Sequence, residues 1–269
     1  MPDHPTEDYS DLDRPPLREH ALRTALVRPG SLWTDLRVVR DTGSTNADVA
    51  AAAREAAAEG LVVTAEHQHA GRGRLTRQWS APARSGLAVS VLLRPTFPRS
   101  RWGWLPLLVG VAVAAPLRRT SELDLRLKWP NDVLVGDRKL AGVLAEVVDD
   151  AVVVGVGLNV SLRADELPVP TATSLVLEGS EVVDRDPVVR GLLRGIADRY
   201  GALSGAHGDA VASGLREEYV GLCSTIGREV EVELPDGSWL RGPATDVDDD
   251  GALVVGDRHV AAGDVVHLR

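Results

Sequence analysis

Residues 128–160, KWPNDVLVGDRKLAGVLAEVVDDAVVVGVGLNV, decide the fold of this chain. Apolar runs alternate in this stretch with two-residue turn signals, in the order 133–135, Gly136-Asp137, 139–148, Asp149-Asp150 and 152–160. Short apolar runs separated by turns rich in Gly and Asp are typical of neighbouring antiparallel strands. The stretch therefore predicts a meander of antiparallel strands.

Three glycines fall inside the predicted strands, at Gly142, Gly155 and Gly157. Glycine weakens a strand because it has no side chain to pack, so its presence here indicates a bulge or the close approach of a ligand to the sheet. Lys139 begins the second strand beside a turn, where a lysine is most often simply solvated.

Strand and helix patterns flank the meander on both sides. Apolar runs predict strands at 61–65, 86–94 and 123–129, and helical patterns occupy 17–26, 46–59, 104–117, 186–203 and 209–222. Thr45 and Asp48 have the spacing of a capping box, which places the start of the second helix near Asn46. Asp186 and Pro187 form a good N-cap and first-turn pair for the fourth helix.

The two ends of the chain differ in composition from the part between them. After Cys223, short strand patterns alternate with turns that contain Asp and Gly, which predicts a small all-β barrel over 224–269. Prolines and acidic residues dominate 1–16 and predict a mobile leader. Residues 17–223 are then the main domain.

Composition sets limits on compartment and partners. The chain has 269 residues and a formal net charge of −9, which argues against a general affinity for nucleic acid. The single cysteine, Cys223, excludes an intramolecular disulfide and a cysteine-based zinc site. The polar N-terminus lacks a basic-then-apolar signal pattern, and no uninterrupted apolar run reaches membrane-spanning length. These features predict a cytoplasmic protein.

The segment 71–79, Gly-Arg-Gly-Arg-Leu-Thr-Arg-Gln-Trp, has the composition of an anion-binding loop. Glycine lets the backbone come close to a ligand, and arginine supplies permanently charged donors that match phosphate or carboxylate. A solvated basic turn is the alternative interpretation.

Three polar residues, Ser44, Thr45 and Asn46, cluster where the second helix is predicted to begin. Free backbone amides point outward at such a position, so the cluster suits either a ligand or plain helix capping. His67 and His69 follow the next strand, and without an evident third ligand they are interpreted as exposed or packing histidines rather than a metal site.

Together these motifs resemble the biotin protein ligases, enzymes that adenylate biotin and attach it to a lysine of a carrier protein. The resemblance spans nearly the whole chain and rests on the order and spacing of several motifs: Ser44-Thr45-Asn46, Gln68 with Gly71-Arg72-Gly73-Arg74 and Trp79, Lys128 to Asp132, Lys139 to Gly142, Gly155 to Val160, and the terminal barrel. It implies an α+β catalytic domain with a mixed, mainly antiparallel sheet flanked by helices, the class II synthetase-like biotin/lipoate ligase fold, followed by an SH3-like β-barrel.

The resemblance also implies roles for individual residues. Those expected to bind biotin are Ser44, Thr45, Asn46, Gln68, Gly71, Arg72, Gly73, Arg74, Trp79, Lys139, Gly142, Gly155 and Gly157. Arg74, Asn131 and Asn159 are expected to contact the nucleotide, and Lys139 and Arg74 to act in catalysis. Asp132 is a candidate proton acceptor for the carrier lysine, and no residue is assigned as a metal ligand.

The implied chemistry uses biotin and ATP as substrates and Mg²⁺ with the nucleotide. Both reacting groups are anions, so catalysis has to come from positioning and from cations at the reaction centre. The expected partners are the biotin carboxyl carrier domains of acyl-CoA carboxylases, with no DNA or membrane partner and a monomer or weak homodimer as the assembly.

Two other functions fit the same fold. Lipoate or octanoate ligases also couple a carboxylate to a carrier lysine, but the Gly-Arg-Gly-Arg and Trp-Pro-Asn-Asp elements and the barrel favour biotin. The other alternative is a biotin-sensing regulator that binds DNA without catalytic turnover. The acidic net charge of the chain argues against DNA binding. A P-loop NTPase is excluded because no Gly-Lys-Ser/Thr loop follows a strand.

The sequence departs from the family pattern at Leu75-Thr76-Arg77, where family members frequently have Arg-Gly-Arg. This departure affects the packing of the loop and leaves the Gly-Arg-Gly-Arg part intact. Some relatives carry an N-terminal DNA-binding domain, but only about forty residues precede Ser44 here, so the form expected is the ligase alone.

Overall fold

The computed structural model describes residues 14–74 and 77–268. Its helices are α1 Glu19–Leu26, α2 Thr45–Arg54, α3 Trp104–Ser121, α4 Arg185–Gly205 and α5 Leu215–Leu222, with 3-10 turns at Arg99–Gly103 and Ala164–Glu166. Its strands are β1 Asp35–Val39, β2 Leu61–Ala65, β3 Gly86–Leu93, β4 Leu125–Lys128, β5 Asp132–Val135, β6 Arg138–Val148, β7 Ala151–Asn159, β8 Glu229–Glu233, β9 Trp239–Val247, β10 Leu253–Val255, β11 Arg258–Val260 and β12 Asp264–His267.

The first seven strands form one mixed sheet in the order β1-β2-β3-β7-β6-β5-β4. Within this sheet β1 and β2 pair in parallel, and the other neighbouring strands pair antiparallel. The predicted meander is confirmed as β5, β6 and β7, joined by tight turns at Gly136 and Asp149. The predicted fold class, a mixed and mainly antiparallel sheet flanked by helices, is therefore confirmed.

The sheet is covered differently on its two faces. Helix α2 packs on one face, where Val49, Ala50 and Ala53 meet Val63 and Val153 in a small core. The large core lies on the other face, against α3, α4 and α5. Because α2 covers only part of its face, the rest of that face is available to the loop that follows β2.

Helix α3 is the central core helix, with Leu105, Leu108 and Val111 fully buried. Residues 99–121 are long and apolar enough to cross a membrane by length and composition, but the helix is mostly buried inside the fold. An apolar cavity of about 370 Å³ lies beside its C-terminal half, lined among others by Leu117 and Leu158.

The C-terminal strands form a five-stranded antiparallel sheet in the order β11-β10-β9-β8-β12, as expected for an SH3-like domain. Its 248–251 turn packs on the main domain: Trp129 Nε1 donates to the Gly251 carbonyl at 3.1 Å, and Trp104 Nε1 donates to the Asp249 carbonyl at 3.0 Å. The cores of the two parts are continuous.

The predicted start and end of α2 are wrong in detail. Ser44, not Thr45, occupies the N-cap position, and no side chain makes the capping hydrogen bond. Asp48 instead accepts from the Thr42 hydroxyl at 2.7 Å. The helix ends at Arg54 rather than near Gly60, because the backbone leaves the helical conformation at Glu55 and Ala56 adopts a φ of +61°.

Two further helix boundaries differ from the prediction. The N-cap of α4 is Asp184, whose side chain accepts from the Asp186 amide at 3.0 Å, while Asp186 itself is buried and paired with Arg18. The segment expected as a helix over 209–222 becomes helical only at Leu215, because Gly214 adopts a φ of +77°.

The predicted leader and the loop are described only in part. Residues 1–13 of the leader and residues 75 and 76 of the loop lie outside the described residues. Arg14, at the end of the predicted leader, is buried and donates to the Ser161 carbonyl at 2.7 Å and to Glu166. The chain is thus packed on the main domain from Arg14 onward, before the predicted boundary at residue 17.

Candidate active site

A row of register partners crosses the sheet on the face shared with α2. In order, Ala65 pairs with Ala88, Ala88 with Gly157, Gly157 with Gly142, Gly142 with Asp132, and Asp132 with Lys128. Side chains of directly paired antiparallel residues point to the same face. The row therefore forms a floor of small residues that leads to two charged side chains at one end.

The ring of Trp79 lies on this floor. A Cβ built at Gly157 would be 2.3 Å from the ring, and one built at Gly142 would be 3.4 Å from it. The close approach predicted for the strand glycines is real, but the approaching groups in this structure are side chains. Gly155 makes room in the same way for Asn46, whose Oδ1 would be 2.1 Å from a Cβ at that position.

Residues 71–74 and 77–79 pack against each other next to the floor. Trp79 N donates to the Gly71 carbonyl at 2.9 Å, and Gly73 N donates to the Arg77 carbonyl at 2.8 Å. A Cβ at Gly71 would be 2.3 Å from the Trp79 carbonyl oxygen, so only glycine permits this closure. The loop thus holds Trp79 over the sheet.

A chain of polar side chains lines the α2 side of the site. Gln68 Oε1 accepts from the Thr45 amide at 2.8 Å and from the Thr45 hydroxyl at 3.0 Å. The Thr45 hydroxyl lies 2.7 Å from the Ser90 hydroxyl, which donates to Asn46 Oδ1 at 2.6 Å. Asn46 Nδ2 then donates to Glu146 at 2.8 Å. The predicted residues Gln68, Thr45 and Asn46 are therefore brought together.

Ser44 and Arg72 lie at the two ends of this polar chain. Ser44 is buried, and its hydroxyl makes no hydrogen bond to any residue of 14–74 or 77–268. Arg72 is more exposed and pairs with Glu146 at 3.0 Å. The helix cluster is thus more than capping, since its side chains bond to the sheet and to Gln68 rather than to the free amides of α2.

The sequence interpretation missed two members of the polar chain, Ser90 and Glu146. A serine inside the apolar run 86–94 and a glutamate inside the strand 139–148 were signals that a polar group lies on the sheet face there. Their partners come from α2, which no local pattern relates to β3 or β6.

Lys139 and Asp132 meet at the charged end of the floor. Lys139 Nζ lies 2.6 Å from Asp132 Oδ1, as an ion pair rather than a well-aligned hydrogen bond. The Lys139 ammonium also lies 5.9 Å from the centre of the Trp79 ring. Its backbone is fixed on both sides, because Lys139 N donates to the Thr171 carbonyl and Thr173 N donates to the Lys139 carbonyl. A rigid backbone thus positions this cation.

Arg74 lies between the main domain and the C-terminal sheet. It donates to the Gly263 carbonyl at 3.0 Å and to Asn131 Oδ1 at 3.4 Å, and its guanidinium is 3.6 Å from Asp264 Oδ1. Arg77 pairs with the other oxygen of Asp264. Burial lowers the pKa of Arg74, opposed by the charges of Asp264 and Asp132. The C-terminal sheet therefore contributes directly to the arginine loop.

Asn159 does not join the cluster around Arg74 and Asn131. It ends β7, is buried, and donates through Nδ2 to the Thr173 carbonyl at 2.8 Å. In this position it ties the segment behind Lys139 to the sheet.

His67 and His69 both approach the Asp41 carboxylate, at 3.2 and 3.4 Å. Across 14–74 and 77–268, no group of three or more His, Cys, Asp or Glu side chains could hold a metal ion. Cys223 is a free cysteine buried in the core.

Two family models place this arrangement, a mixed sheet with a cationic Gly/Arg loop followed by a C-terminal antiparallel sheet, in a class of protein ligases. The model of the biotin/lipoate A/B protein ligase family matches residues 41–161. The model of the biotin protein ligase C-terminal domain matches residues 225–268.

Relatives support the same assignment over the whole chain. The biotin–[acetyl-CoA-carboxylase] ligase of Mycobacterium tuberculosis is 47% identical over 265 residues, which cover 95% of this chain and 97% of that protein. The bifunctional ligase/repressor BirA of Bacillus spizizenii is 32% identical over 87% of this chain and 71% of that protein. The structure of Aquifex aeolicus biotin protein ligase in complex with biotin and ATP superposes with a TM-score of 0.71 at 25% identity, covering 88% of this chain and 100% of that one. This chain therefore belongs to the biotin protein ligase family.

Proposed function

We propose that this chain activates biotin with ATP to biotinyl-5'-AMP, releases pyrophosphate, and transfers biotin to a lysine of the biotin carboxyl carrier domain of a carboxylase. The observation that carries the proposal is the row across the sheet. It joins a narrow floor of small residues under Trp79 to the cations at its far end. This arrangement suits a slender apolar acid whose carboxylate has to meet an anionic nucleotide.

Biotin lies on the floor formed by Gly157 and Gly142, with its ring toward α2. The polar chain there offers the donors and acceptors that a ureido ring needs, and the buried Ser44 hydroxyl lies at its edge. A buried site built for hydrogen bonds rejects analogues that lack the matching groups, because its own polar atoms would be left unpaired. Biotin takes the place of Trp79, whose ring then covers the ligand. Gln68, Gly71, Arg72, Gly73 and Gly155 complete the proposed surroundings.

Adenylation joins two anions, so the residues at the charged end of the floor have to neutralise the reacting groups. A biotin carboxylate oxygen forms a bond to the α-phosphorus, and the bond to the bridging oxygen of pyrophosphate breaks. Lys139 donates to the carboxylate and the α-phosphate, and Arg74 holds the resulting adenylate. Asn131 and Asn159 are the proposed contacts of the nucleotide.

Mg²⁺ is proposed to accompany ATP and to neutralise phosphate charge when bound. Mg²⁺ takes most of its ligands from substrate phosphates and water, so this role needs no dedicated cluster of protein ligands, and residues 14–74 and 77–268 contain none.

Transfer requires the carrier lysine to lose a proton before its amine attacks the mixed anhydride. Asp132 is the proposed acceptor because it lies at the charged end of the floor beside Lys139. The amine forms a bond to the biotinyl carbonyl carbon, and AMP leaves with the bonding electron pair.

The proposal includes a cytoplasmic location, a monomer or weak homodimer, and no DNA or membrane partner. The net charge of −9 supports the absence of DNA binding, because phosphate contacts require a basic surface.

Incubation of the protein with biotin, MgATP and a purified carrier domain tests the activity. Intact-mass spectrometry should show the gain of one biotinyl group on one lysine of the carrier. A carrier with that lysine changed to arginine is the control and should gain nothing. A gain with lipoate and none with biotin would instead assign the chain to the lipoate branch.

A further inference from the structure

Lys128 is a charged residue of the site to which none of the roles above has been given. It ends β4, in which Leu125 and Leu127 face the core while Arg126 and Lys128 face the other side. Lys128 pairs directly with Asp132 in the hairpin of β4 and β5, so the two side chains share the face that carries the site. It therefore extends the row one strand beyond the Lys139–Asp132 pair.

The ammonium group of Lys128 lies among carboxylates that are committed to other cations. The side chain is half-buried, and it makes no hydrogen bond or ion pair with any residue in 14–74 or 77–268. The carboxylates that face it are already engaged, since Asp132 pairs with Lys139 and Asp264 pairs with Arg77.

Partial burial makes this position costly for a bare cation. Burial is the main influence that lowers the pKa of Lys128, and the nearby charges of Lys139 and Arg77 add to it, against the opposing effect of Asp132 and Asp264. A half-buried charge without a hydrogen-bonding partner destabilises a fold, so a bound anion would compensate the cost.

The order of groups along the row indicates which anion this is. Gln68 of the polar chain follows the strand of Ala65, Lys139 lies against Gly142, and Lys128 lies two strands beyond Gly142, or about 10 Å at the usual strand spacing. If the reacting carboxylate and α-phosphate meet at Lys139, the part of ATP that extends further in this direction is its β- and γ-phosphates.

We propose that Lys128 binds the β- and γ-phosphates of ATP and stabilises the departing pyrophosphate. The inference rests on the proposed function. When the bond between the α-phosphorus and the bridging oxygen breaks, that oxygen takes the electron pair, and the negative charge grows on the pyrophosphate next to the ammonium. Lys128 donates hydrogen bonds and transfers no proton, so the reaction balances without another reactant.

Adenylate formation and biotin transfer can be measured separately, and a residue that binds only the β- and γ-phosphates should affect the first and not the second. Biotinyl-5'-AMP contains no β- or γ-phosphate, so Lys128→Gln should slow adenylate formation from biotin and MgATP by about a hundredfold, the scale for one preorganised electrostatic group. The same variant should transfer biotin from supplied biotinyl-5'-AMP to the carrier within about twofold of wild type. It should also need at least about tenfold more pyrophosphate to reverse adenylation.

Two further variants serve as controls. Lys128→Arg keeps the charge and should restore most of the adenylation rate. Arg126→Gln removes a charge from the same face of the same strand, but Arg126 is exposed and paired with Asp124 at 3.1 Å, so both half-reactions should be unchanged.

The outcomes distinguish this inference from the proposed function. If wild type does not biotinylate the carrier, the proposed function fails. If wild type is active and Lys128→Gln forms adenylate at the wild-type rate, or slows both half-reactions equally, the role of Lys128 is wrong. A loss of activity confined to biotin transfer would indicate that Lys128 acts in carrier docking, and would also contradict a role at the β- and γ-phosphates.

Discussion

Gly157 shows at the scale of one residue how the sheet makes room for its site. A Cβ at this position would be 2.3 Å from the Trp79 ring. Gly157→Ala should weaken biotin binding by about tenfold or more, because overpacking a close contact ordinarily costs about 1–3 kcal/mol. Isothermal titration with biotin measures the effect.

Gly201→Ala is the matched control for this substitution. Gly201 lies in α4, where a Cβ would meet nothing within 4 Å, so alanine there should leave biotin affinity unchanged. Equal biotin affinities for Gly157→Ala and wild type would show that the glycine row is not the floor of the biotin site.

Replacement of Lys139 and replacement of Arg74 should impair different steps of the reaction. Lys139 is held on a rigid strand, so Lys139→Ala should slow adenylate formation by about a hundredfold or more. Arg74 is held by the loop and the C-terminal sheet, so Arg74→Gly should still form adenylate but release it sooner. Single-turnover pyrophosphate release and adenylate off-rates measure the two effects.

An exposed charge on the other side of the sheet provides the control. Arg118→Ala removes an arginine of α3 that pairs with Asp124, and it should change neither rate. Wild-type adenylation in Lys139→Ala, or wild-type retention in Arg74→Gly, would refute the corresponding role.

The imidazole of His267 should remain neutral in the folded protein at pH values well below the ordinary pKa of histidine. Burial lowers its pKa to about 4, helped by the charges of Lys128 and Arg228. The Thr225 hydroxyl accepts from the Trp129 amide and lies 3.0 Å from His267 Nε2, so it donates to an unprotonated nitrogen. The unfolded chain binds a proton near pH 6.5 and the folded chain only near 4, so stability should fall as the pH drops from about 6.5 to about 4.

Nuclear magnetic resonance titration of His267 tests this directly. Replacement of the histidine by glutamine should remove this part of the pH dependence of unfolding. An imidazole that titrates near pH 6.5 in the folded protein would contradict the account.

The residues of the site were partly predictable because some signals are local. The Gly/Arg segment and the polar cluster at the start of α2 can be recognised from composition alone. The structure brings both to one face of the sheet. Ser90 and Glu146 could not be assigned to the site, because their role depends on Asn46, which lies far away in sequence.

A buried ion pair fixes the elements around the first helix. Arg185 at the start of α4 pairs with Glu66 after β2 at 2.7 Å, and both side chains are less than 10% exposed. The same arginine donates to the Pro15 carbonyl, while Glu66 accepts from the Leu17 amide. This pair therefore ties the N-terminal segment to the sheet and to α4.

Arg185→Met should destabilise the protein by about 3 kcal/mol, because it leaves the Glu66 carboxylate buried without its cation. Arg126→Met removes an exposed arginine and should cost less than about 1 kcal/mol. Urea unfolding curves compare the two. Equal stabilities for the two variants would show that the buried pair does not hold these elements together.

At the scale of elements, the strands were easier to predict than the helix ends. Apolar runs and tight turns are local, so the meander was found to within a residue or two. The end of α2 lies where Ala56, a residue that usually favours helix, adopts a φ of +61°, and the side chain of Asp186, the predicted cap of α4, is taken up by Arg18. No local pattern indicates either feature.

The whole molecule joins two sheets at one site. The main sheet supplies the floor, Lys139 and Lys128, while the C-terminal sheet supplies Gly263 and Asp264 to the arginine loop. The loop is therefore held from both parts of the chain, and a nucleotide phosphate would compete with Asp264 for its arginines. The sequence predicted the second sheet but gave no indication of this contact, since nearly two hundred residues separate its partners.

A crystal structure of the protein with bound biotinyl-5'-AMP tests the central claim most directly. We predict that the biotinyl group lies on Gly157 and Gly142, with the ring of Trp79 lifted to cover it and Lys139 against the link to the phosphate. An adenylate bound anywhere else, such as the apolar cavity beside Leu117 on the opposite face of the sheet, would contradict the account.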